Sequence, residues 1–278
     1  MIALIKYFIK RKIEKIPFIN WIIFKNIHRL EFLFPHEQDY FGMNNIFSEN
    51  FNGDILDVGG NYGQSTVSFR KLGFKKNKIF IFEPYKHLFS NLKRIKKKYK
   101  NTFLYNYGLS NKNEIKNLYT PIRKNKTYLA LSSFSRVSQA NQIKLQFPKH
   151  IHEFEYLKQK CKLKIFDNLN LNIKPKFIKI DVEGYEENVI YGLKKTIKKN
   201  KPIILIEYNI KNFKIIYNFL KSNYDIFSYF LEKKKLVKVS NNDIERLFLG
   251  KKNKNIYTKK QNARCIYYIP KKFKFYNN

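Results

Sequence analysis

One stretch constrains the fold of this 278-residue chain more than any other: residues 54–65, which read Asp-Ile-Leu-Asp-Val-Gly-Gly-Asn-Tyr-Gly-Gln-Ser. Ile55, Leu56 and Val58 form the short apolar run of a buried strand. Gly59, Gly60 and Gly63 force a tight turn at its carboxyl end, and Ser65 is placed to cap a helix running to about Arg70. Glycine is needed there because backbone must pass close to a ligand and take positive φ. Strand, glycine turn and helix N-terminus in that order build a nucleotide crevice in an open parallel sheet.

The choice of ligand follows from what surrounds the glycines. A dinucleotide site wants Gly-x-Gly-x-x-Gly, whose bare amides cradle a pyrophosphate. Aligned on its last glycine, the chain offers Val58-Gly59-Gly60-Asn61-Tyr62-Gly63, with a β-branched residue in place of the first glycine. Asp57 adds an anion where a pyrophosphate would be repelled. A carboxylate suits instead a ligand with a positive end, such as the ammonium of S-adenosylmethionine, and the helix N-terminus can take that ligand's own carboxylate. Glu83 follows the next apolar run, residues 78–82. It lies about twenty residues beyond the last glycine, the spacing at which an acid accepts both ribose hydroxyls. Asp57 and Glu83 together favour S-adenosylmethionine over a dinucleotide; the bland alternative is a tight turn with two solvated acids.

Residues 57–63 also resemble the Asp-Val-Gly-Ala-Asn-x-Gly motif of the FkbM-type methyltransferases, with Gly60 where alanine is usual. Phe82-Glu83-Pro84 is similar to their Glu-Pro. Asn-Tyr-Gly-Leu-Ser at 106–110 resembles Asn-x-Ala-Leu-Ser, with Gly108 for alanine. Phe-Ile-Lys-Ile-Asp-Val-Glu-Gly-Tyr-Glu at 177–186 is close to the family's most distinctive segment, and residues 202–207 resemble its next strand. The likeness covers roughly residues 53–208. It implies an α/β fold of the class I methyltransferase type, with a doubly wound, mostly parallel, Rossmann-like sheet. It further implies S-adenosyl-L-methionine as cofactor and O-methylation of a hydroxyl on a sugar or polyketide-like small molecule, a bacterial surface glycan being the preferred acceptor. By family position Tyr85 and the loop from Asn106 to Ser110 flank the adenine; on chemistry alone they are ordinary loop residues.

Methyl transfer from sulfonium to oxygen is an in-line displacement, so orientation supplies most of the barrier reduction. Asp57 is the candidate for the methionine ammonium, Glu83 for the ribose, and Gly59, Asn61 and Gly63 for close backbone approach. An alcohol is a poor nucleophile and wants a base or a metal. Strand alternation puts Lys179, Asp181 and Glu183 on one side of a strand, running toward the carboxyl edge where ligands bind. Asp181 is the best base or divalent-metal ligand, with Glu183 behind it; Gly184 lets the chain turn away. The competing reading is an internal Lys179–Asp181 ion pair, with Glu183 capping the next helix. His150 and His152 lack a third ligand at a known metal spacing.

Composition bounds the rest. Hydrophobic residues make up 44% of the chain, ample for one large α/β domain over residues 51–278, with an insertion at about 111–161 beside the ligand crevice. Cys161 and Cys265 fit no disulfide or metal framework, so a reducing, cytoplasmic setting is expected. The net charge of +35 suggests polyanion affinity, yet lysine far outnumbers arginine and several clusters fall at predicted helix ends. A lysine-biased composition is the preferred reading, and nucleic acid is not an expected partner. Residues 1–50 are read as a helical extension in which Ile2, Ile5, Ile9, Ile13 and Ile16 share one face. No apolar run there is long enough to span a bilayer. Its basic amphipathic part, residues 1–34, either contacts an anionic membrane peripherally or packs on the domain or on a second subunit. From residue 53 strands and helices alternate, with strands expected at 54–58, 78–82, 102–109, 114–120, 128–134, 162–166, 177–182 and 202–207 and late β-like runs at 225–231 and 265–269, where the resemblance implies a terminal antiparallel hairpin. Helices are expected at 85–98, 187–199 and 212–222. RNA methylation, and a membrane- or polyanion-associated protein that keeps the fold without turnover, stay open as rivals. Against the first, no Asn/Asp-Pro-Pro-Tyr/Phe motif follows the fourth strand.

Overall fold

Short runs of isoleucine and phenylalanine, buried on both sides, lay down the centre of the molecule; strands of that kind need helices on both faces of their sheet. The computed structural model describes residues 37–48, 51–230, 232–244 and 264–275. The amphipathic pattern of residues 1–34, and the membrane contact read from it, lie outside the described residues. The strands are β1 (Asp54–Val58), β2 (Ile79–Phe82), β3 (Thr102–Tyr105), β4 (Gly108–Leu109), β5 (Glu114–Arg123) and β6 (Lys126–Thr127). They continue as β7 (Glu155–Lys164), β8 (Pro175–Ile180), β9 (Ile203–Glu207), β10 (Tyr224–Phe230), β11 (Lys235–Lys238) and β12 (Cys265–Pro270). The helices are α1 (Met43–Ile46), α2 (Gln64–Lys71), α3 (Phe89–Lys98), α4 (Arg136–Gln146), α5 (Glu186–Gly192), α6 (Lys194–Asn200) and α7 (Ile210–Leu220).

The described strands form an eight-stranded sheet in the order β11-β10-β12-β9-β8-β1-β2-β3, and a four-stranded sheet in the order β4-β7-β5-β6. Strands β3, β2, β1, β8 and β9 run parallel, and β12 slots antiparallel between β9 and β10. Alternation along the strands divides the core in two. Leu56, Val58, Ile178, Ile180, Ile204 and Ile206 meet Val189, Ile197 and Phe213 of α5, α6 and α7. Ile55, Ile81, Phe177 and Leu205 face the other way, toward Phe69 of α2, Leu92 of α3 and Met43 of α1. Helices therefore change face between β1 and β8, and that switch point is where an open α/β sheet binds its ligand.

Several local expectations are corrected. The run 102–109 is two strands: it bends at Asn106, whose amide donates to the Glu83 carbonyl at 3.1 Å, and β4 crosses to the second sheet. The alternating stretch 128–134 is a 3-10 turn (Leu129–Leu131) bridged once to Tyr119, because Gln139 takes the Tyr119 and Leu131 carbonyls. The helix expected at 187–199 breaks at Leu193, after Gly192, where a Cβ would lie 2.1 Å from the Ser110 carbonyl oxygen. The late runs at 225–231 and 265–269 pair antiparallel as expected, as β10 and β12, and β11 adds to the outer edge of β10. Gly63, in a left-handed conformation, occupies the cap position of α2; Ser65 lies inside the helix.

Residues 38–46, read from sequence as extension, pack into the core: Tyr40, Met43 and Ile46 are almost wholly buried. Asp39 ties them to the sheet, its Oδ2 accepting the Arg264 and Cys265 amides at 2.8 and 3.1 Å. Burial raises the Asp39 carboxyl to about 7, against the lowering effect of the Arg264 amide bond. A carboxyl raised on folding makes the folded state bind more protons than the unfolded one, so its stability contribution is complete at low pH and is lost as pH rises through 7. Urea midpoints of the wild type should accordingly fall between about pH 5 and pH 8, and Asp39→Asn should flatten that slope.

Candidate active site

The turn after β1 is shaped by what lies against it. Gly59 has φ +79°, and a Cβ there would sit 1.8 Å from the Asp181 carbonyl oxygen, so β1 and β8 leave the sheet in backbone contact. A Cβ on Gly60 would lie 2.2 Å from Ile81 Cγ2, and one on Gly108 would lie 2.7 Å from Leu163 Cδ2. Both positions carry alanine in the motif the chain resembles; here Ile81 and Leu163 fill that space. Gly63, at φ +84°, turns the chain into α2 over Ile95 and does not line the crevice.

Above the turn opens one crevice of about 690 Å³, solvent at its mouth included. Of the candidates read from sequence, Gly59, Asn61, Glu83, Tyr85, Asp181 and Glu183 line it. Asp57, Gly63, Asn106, Ser110 and Lys179 do not. The insertion supplies a wall that sequence reasoning did not resolve into residues: Leu118, Leu129, Ser132 and Phe134.

Glu83 sits at the inner end. Its Oε2 accepts the Asn61 amide and its Oε1 the Tyr85 amide, each at 2.8 Å. Burial raises its carboxyl to about 7, the two amide bonds and Lys179 pulling the other way. Asn106 secures the strand tip from behind through the Glu83 and Pro84 carbonyls. Ser110, wholly buried, extends the β4–β7 pairing of the second sheet by donating its amide to the Lys164 carbonyl at 2.9 Å.

Asp57 corrects the sequence reading. It is fully buried beneath the turn, where its Oδ2 accepts Ser65 Oγ at 2.5 Å and Thr66 Oγ1 at 2.7 Å. The expected grip on a ligand ammonium is therefore not the position its side chain holds. Lys179, its register partner on β8, is 3% exposed; its Nζ lies 3.5 Å from Asp57 Oδ1, 3.3 Å from Asp181 Oδ2, and donates to the Gly59 carbonyl at 2.8 Å. Burial lowers the Lys179 pKa, and the Asp181 and Asp57 carboxylates more than offset it, so the ammonium is held charged. Lys179 positions the strand tip from below and does not reach the crevice.

At the outer end Asp181 and Glu183 line the crevice, and Glu207, outside its lining, brings a carboxylate oxygen within 4.8 Å of theirs. Glu207 was missed from sequence, although its signal matches that of Asp181: an acid at the carboxyl tip of an apolar strand, one step beyond the Ile180–Ile206 pair. Burial first, then Asp181 and Glu183, push the Glu207 carboxyl well above its ordinary range. Glu183 adopts φ +53° and Gly184 φ +94°. Glu186 pins that loop: its Oε1 accepts the Gly184 amide at 2.8 Å and its Oε2 the Asn212 amide group at 2.8 Å. The insertion grips the same loop, since Ser133 Oγ donates to the Glu183 carbonyl at 3.2 Å and the Tyr185 hydroxyl to Glu114 at 3.2 Å. His150 lies at the surface against Glu153 and Arg123 and takes no part in the crevice.

A strand order with β12 inserted antiparallel, and a crevice over the tips of β1, β2 and β8, define a class I methyltransferase fold. The chain belongs to the FkbM methyltransferase family: the Methyltransferase FkbM domain matches residues 57–235. Among solved structures it is similar to the methyltransferase FkbM of Methylobacillus flagellatus KT, with 12% identity and a TM-score of 0.47. That likeness covers 88% of this chain and 59% of the relative's length. It is also similar to precorrin-6y C5,15-methyltransferase of Geobacter metallireducens GS-15, with 11% identity, a TM-score of 0.37, and coverage of 79% and 81%. No curated protein matches it significantly.

The glycine packing is directly testable. Gly60→Ala should cost about 1–3 kcal/mol in urea denaturation by forcing a methyl onto Ile81. Paired with Ile81→Ala it should cost less than the two single losses summed, giving a coupling of about 1 kcal/mol or more. Strict additivity would show that the two side chains do not compete for this space.

Proposed function

We propose that the chain is an S-adenosylmethionine-dependent methyltransferase that methylates a hydroxyl of a sugar, surface glycan or related small molecule. The observation that carries this is a single crevice at the switch point, with Glu83 at one end and Asp181 at the other. The residues present fit the cofactor. Asn61 Oδ1 is a buried acceptor without a hydrogen-bond partner, Gly59 leaves the turn bare of side chain, and Tyr85 and Leu88 give the inner end an apolar wall. Glu83 would accept the ribose hydroxyls, and Asn61 and the Gly59 backbone would hold the amino-acid end.

When bound, S-adenosylmethionine supplies a methyl group on a positively charged sulfur. The rest is positioning and one proton. Asp181, steadied by the Lys179 ammonium, accepts the proton of the acceptor hydroxyl as the oxygen attacks. Phe134, Tyr185 and Leu129 exclude water from the outer half of the crevice. The Asp181 and Glu183 carboxylates on the crevice wall repel phosphates, which favours a neutral acceptor over nucleic acid. Burial, and then Asp181 and Glu183, favour the protonated form of Glu207, which would lower the charge of this cluster. A divalent cation is the other neutraliser the donor set suits, since three carboxylate oxygens are hard ligands.

Calorimetry with S-adenosylmethionine tests the cofactor. Binding should tighten from about pH 6 to pH 8 as Glu83 ionises, and Glu83→Gln should weaken binding and flatten the dependence. Absence of binding at millimolar ligand removes the proposal. Labelled-methyl transfer to a cell-envelope glycan extract tests the base: Asp181→Asn should lower turnover by about 10²–10⁴ while leaving the cofactor Kd nearly unchanged. Wild-type rates in that variant would refute the role. Loss of activity on chelation, restored by a divalent cation, would assign the neutralising charge to a metal; unchanged activity would assign it to the Glu207 proton.

A further inference from the structure

Helices α5, α6 and α7 cover one face of the large sheet, with Val189, Ile197, Phe213 and Ile216 turned inward. Their outer surface is not the uniformly polar one a solvated helix pair presents. Ile215 and Phe219, one turn apart on α7, are 40% and 37% exposed. The Phe219 ring meets Tyr191 of α5 edge-on, with centroids 5.3 Å apart, so the apolar strip runs across both helices. On α7 the exposed Lys211 lies one turn before Ile215 and the exposed Lys214 directly precedes it, and Lys195 and Lys198 of α6 are exposed as well. Neither α6 nor α7 contains an acidic residue or an arginine.

We propose that this face is a docking surface for an anionic lipid bilayer. An apolar strip bordered by ammonium groups matches the interface of such a bilayer, where side chains such as Ile215 and Phe219 enter the acyl boundary and lysines stay among the headgroups. A second copy of the chain would bring its own lysines against these, on a protein of net charge +35. Nucleic acid would satisfy the lysines yet leave the isoleucine and phenylalanine in water, and phosphate recognition favours the arginine these helices lack. The exposed residues of this surface are not among those lining the crevice, and the proposal does not depend on the catalytic reading. Contact through this face sets the carboxyl edge of the sheet, and so the crevice mouth, side-on to the lipid.

Sedimentation of the full chain with sucrose-loaded vesicles tests it, comparing phosphatidylglycerol–phosphatidylcholine mixtures with phosphatidylcholine alone. The expected result is binding to the anionic vesicles only, weakening with added salt. Ile215→Ser/Phe219→Ser should lower the partition coefficient about tenfold. Lys211→Glu/Lys214→Glu should lower it at least as far, at roughly fivefold per lysine removed from the surface. Both variants should keep the wild-type melting temperature, and a variant that does not is replaced by its single substitutions. Wild-type protein left in the supernatant with anionic vesicles overturns the proposal. So does binding that neither pair of substitutions weakens, which would move the contact elsewhere in the chain. Loss of a dimer, or of RNA binding, in the Ile215/Phe219 pair would likewise overturn it by giving the face to another occupant.

Discussion

A single buried ammonium organises the ligand edge of this protein. Lys179 stands where three pieces of chain converge: the tip of β1 through Asp57, the tip of β8 through Asp181, and the glycine turn through the Gly59 carbonyl. Without it, the fully buried Asp57 carboxylate would lose the cation beside it, a costly arrangement for a charge removed from water. Asp57 in turn receives Ser65 and Thr66, so the start of α2 is fastened to the same charge. What looks from sequence like a ligand-gripping acid and a catalytic lysine is the buried foundation under the groups that face the crevice. The ion cluster holds in place the turn and the strand tip from which groups face the crevice.

The fold was legible because its signals are local. The strand at 54–58, the glycine turn and Glu83 all lie within thirty residues, and their spacing carries the geometry. Side-chain direction at Asp57 was less legible. Alternation puts Asp57 on the Ile55 side of β1, but only the placement of α2 shows that side to be sealed by Ser65 and Thr66. Glu207 went unread for a related reason: its nearness to Asp181 depends on β9 neighbouring β8, a fact of sheet order that neither strand states. In the insertion, alternation at 128–134 pointed to a strand, and a glutamine eight residues from Leu131 decided otherwise by claiming its carbonyl.

The two glycines that depart from the resembled motif show how a local sequence change is absorbed. Gly60 and Gly108 each lack one methyl, and in each case a branched side chain on a neighbouring strand occupies the space. A methyl added at either position would have to displace that side chain, and a close-packed interior resists such an addition. The same logic accounts for Gly192, whose missing side chain lets α5 settle against the Ser110 carbonyl and breaks the helix there.

The loop after β8 is fastened from two directions, by Glu186 within its own helix and by Ser133 and Glu114 from the insertion. Such double anchoring binds the evolutionary fates of distant positions. A lineage that rebuilt the insertion to admit a different molecule would release Tyr185 and the Glu183 carbonyl unless compensating changes arose beside them. Diversification of the outer wall is then a matter of coordinated substitution across some fifty residues of separation, whereas the floor beneath Glu83 is free to stay as it is.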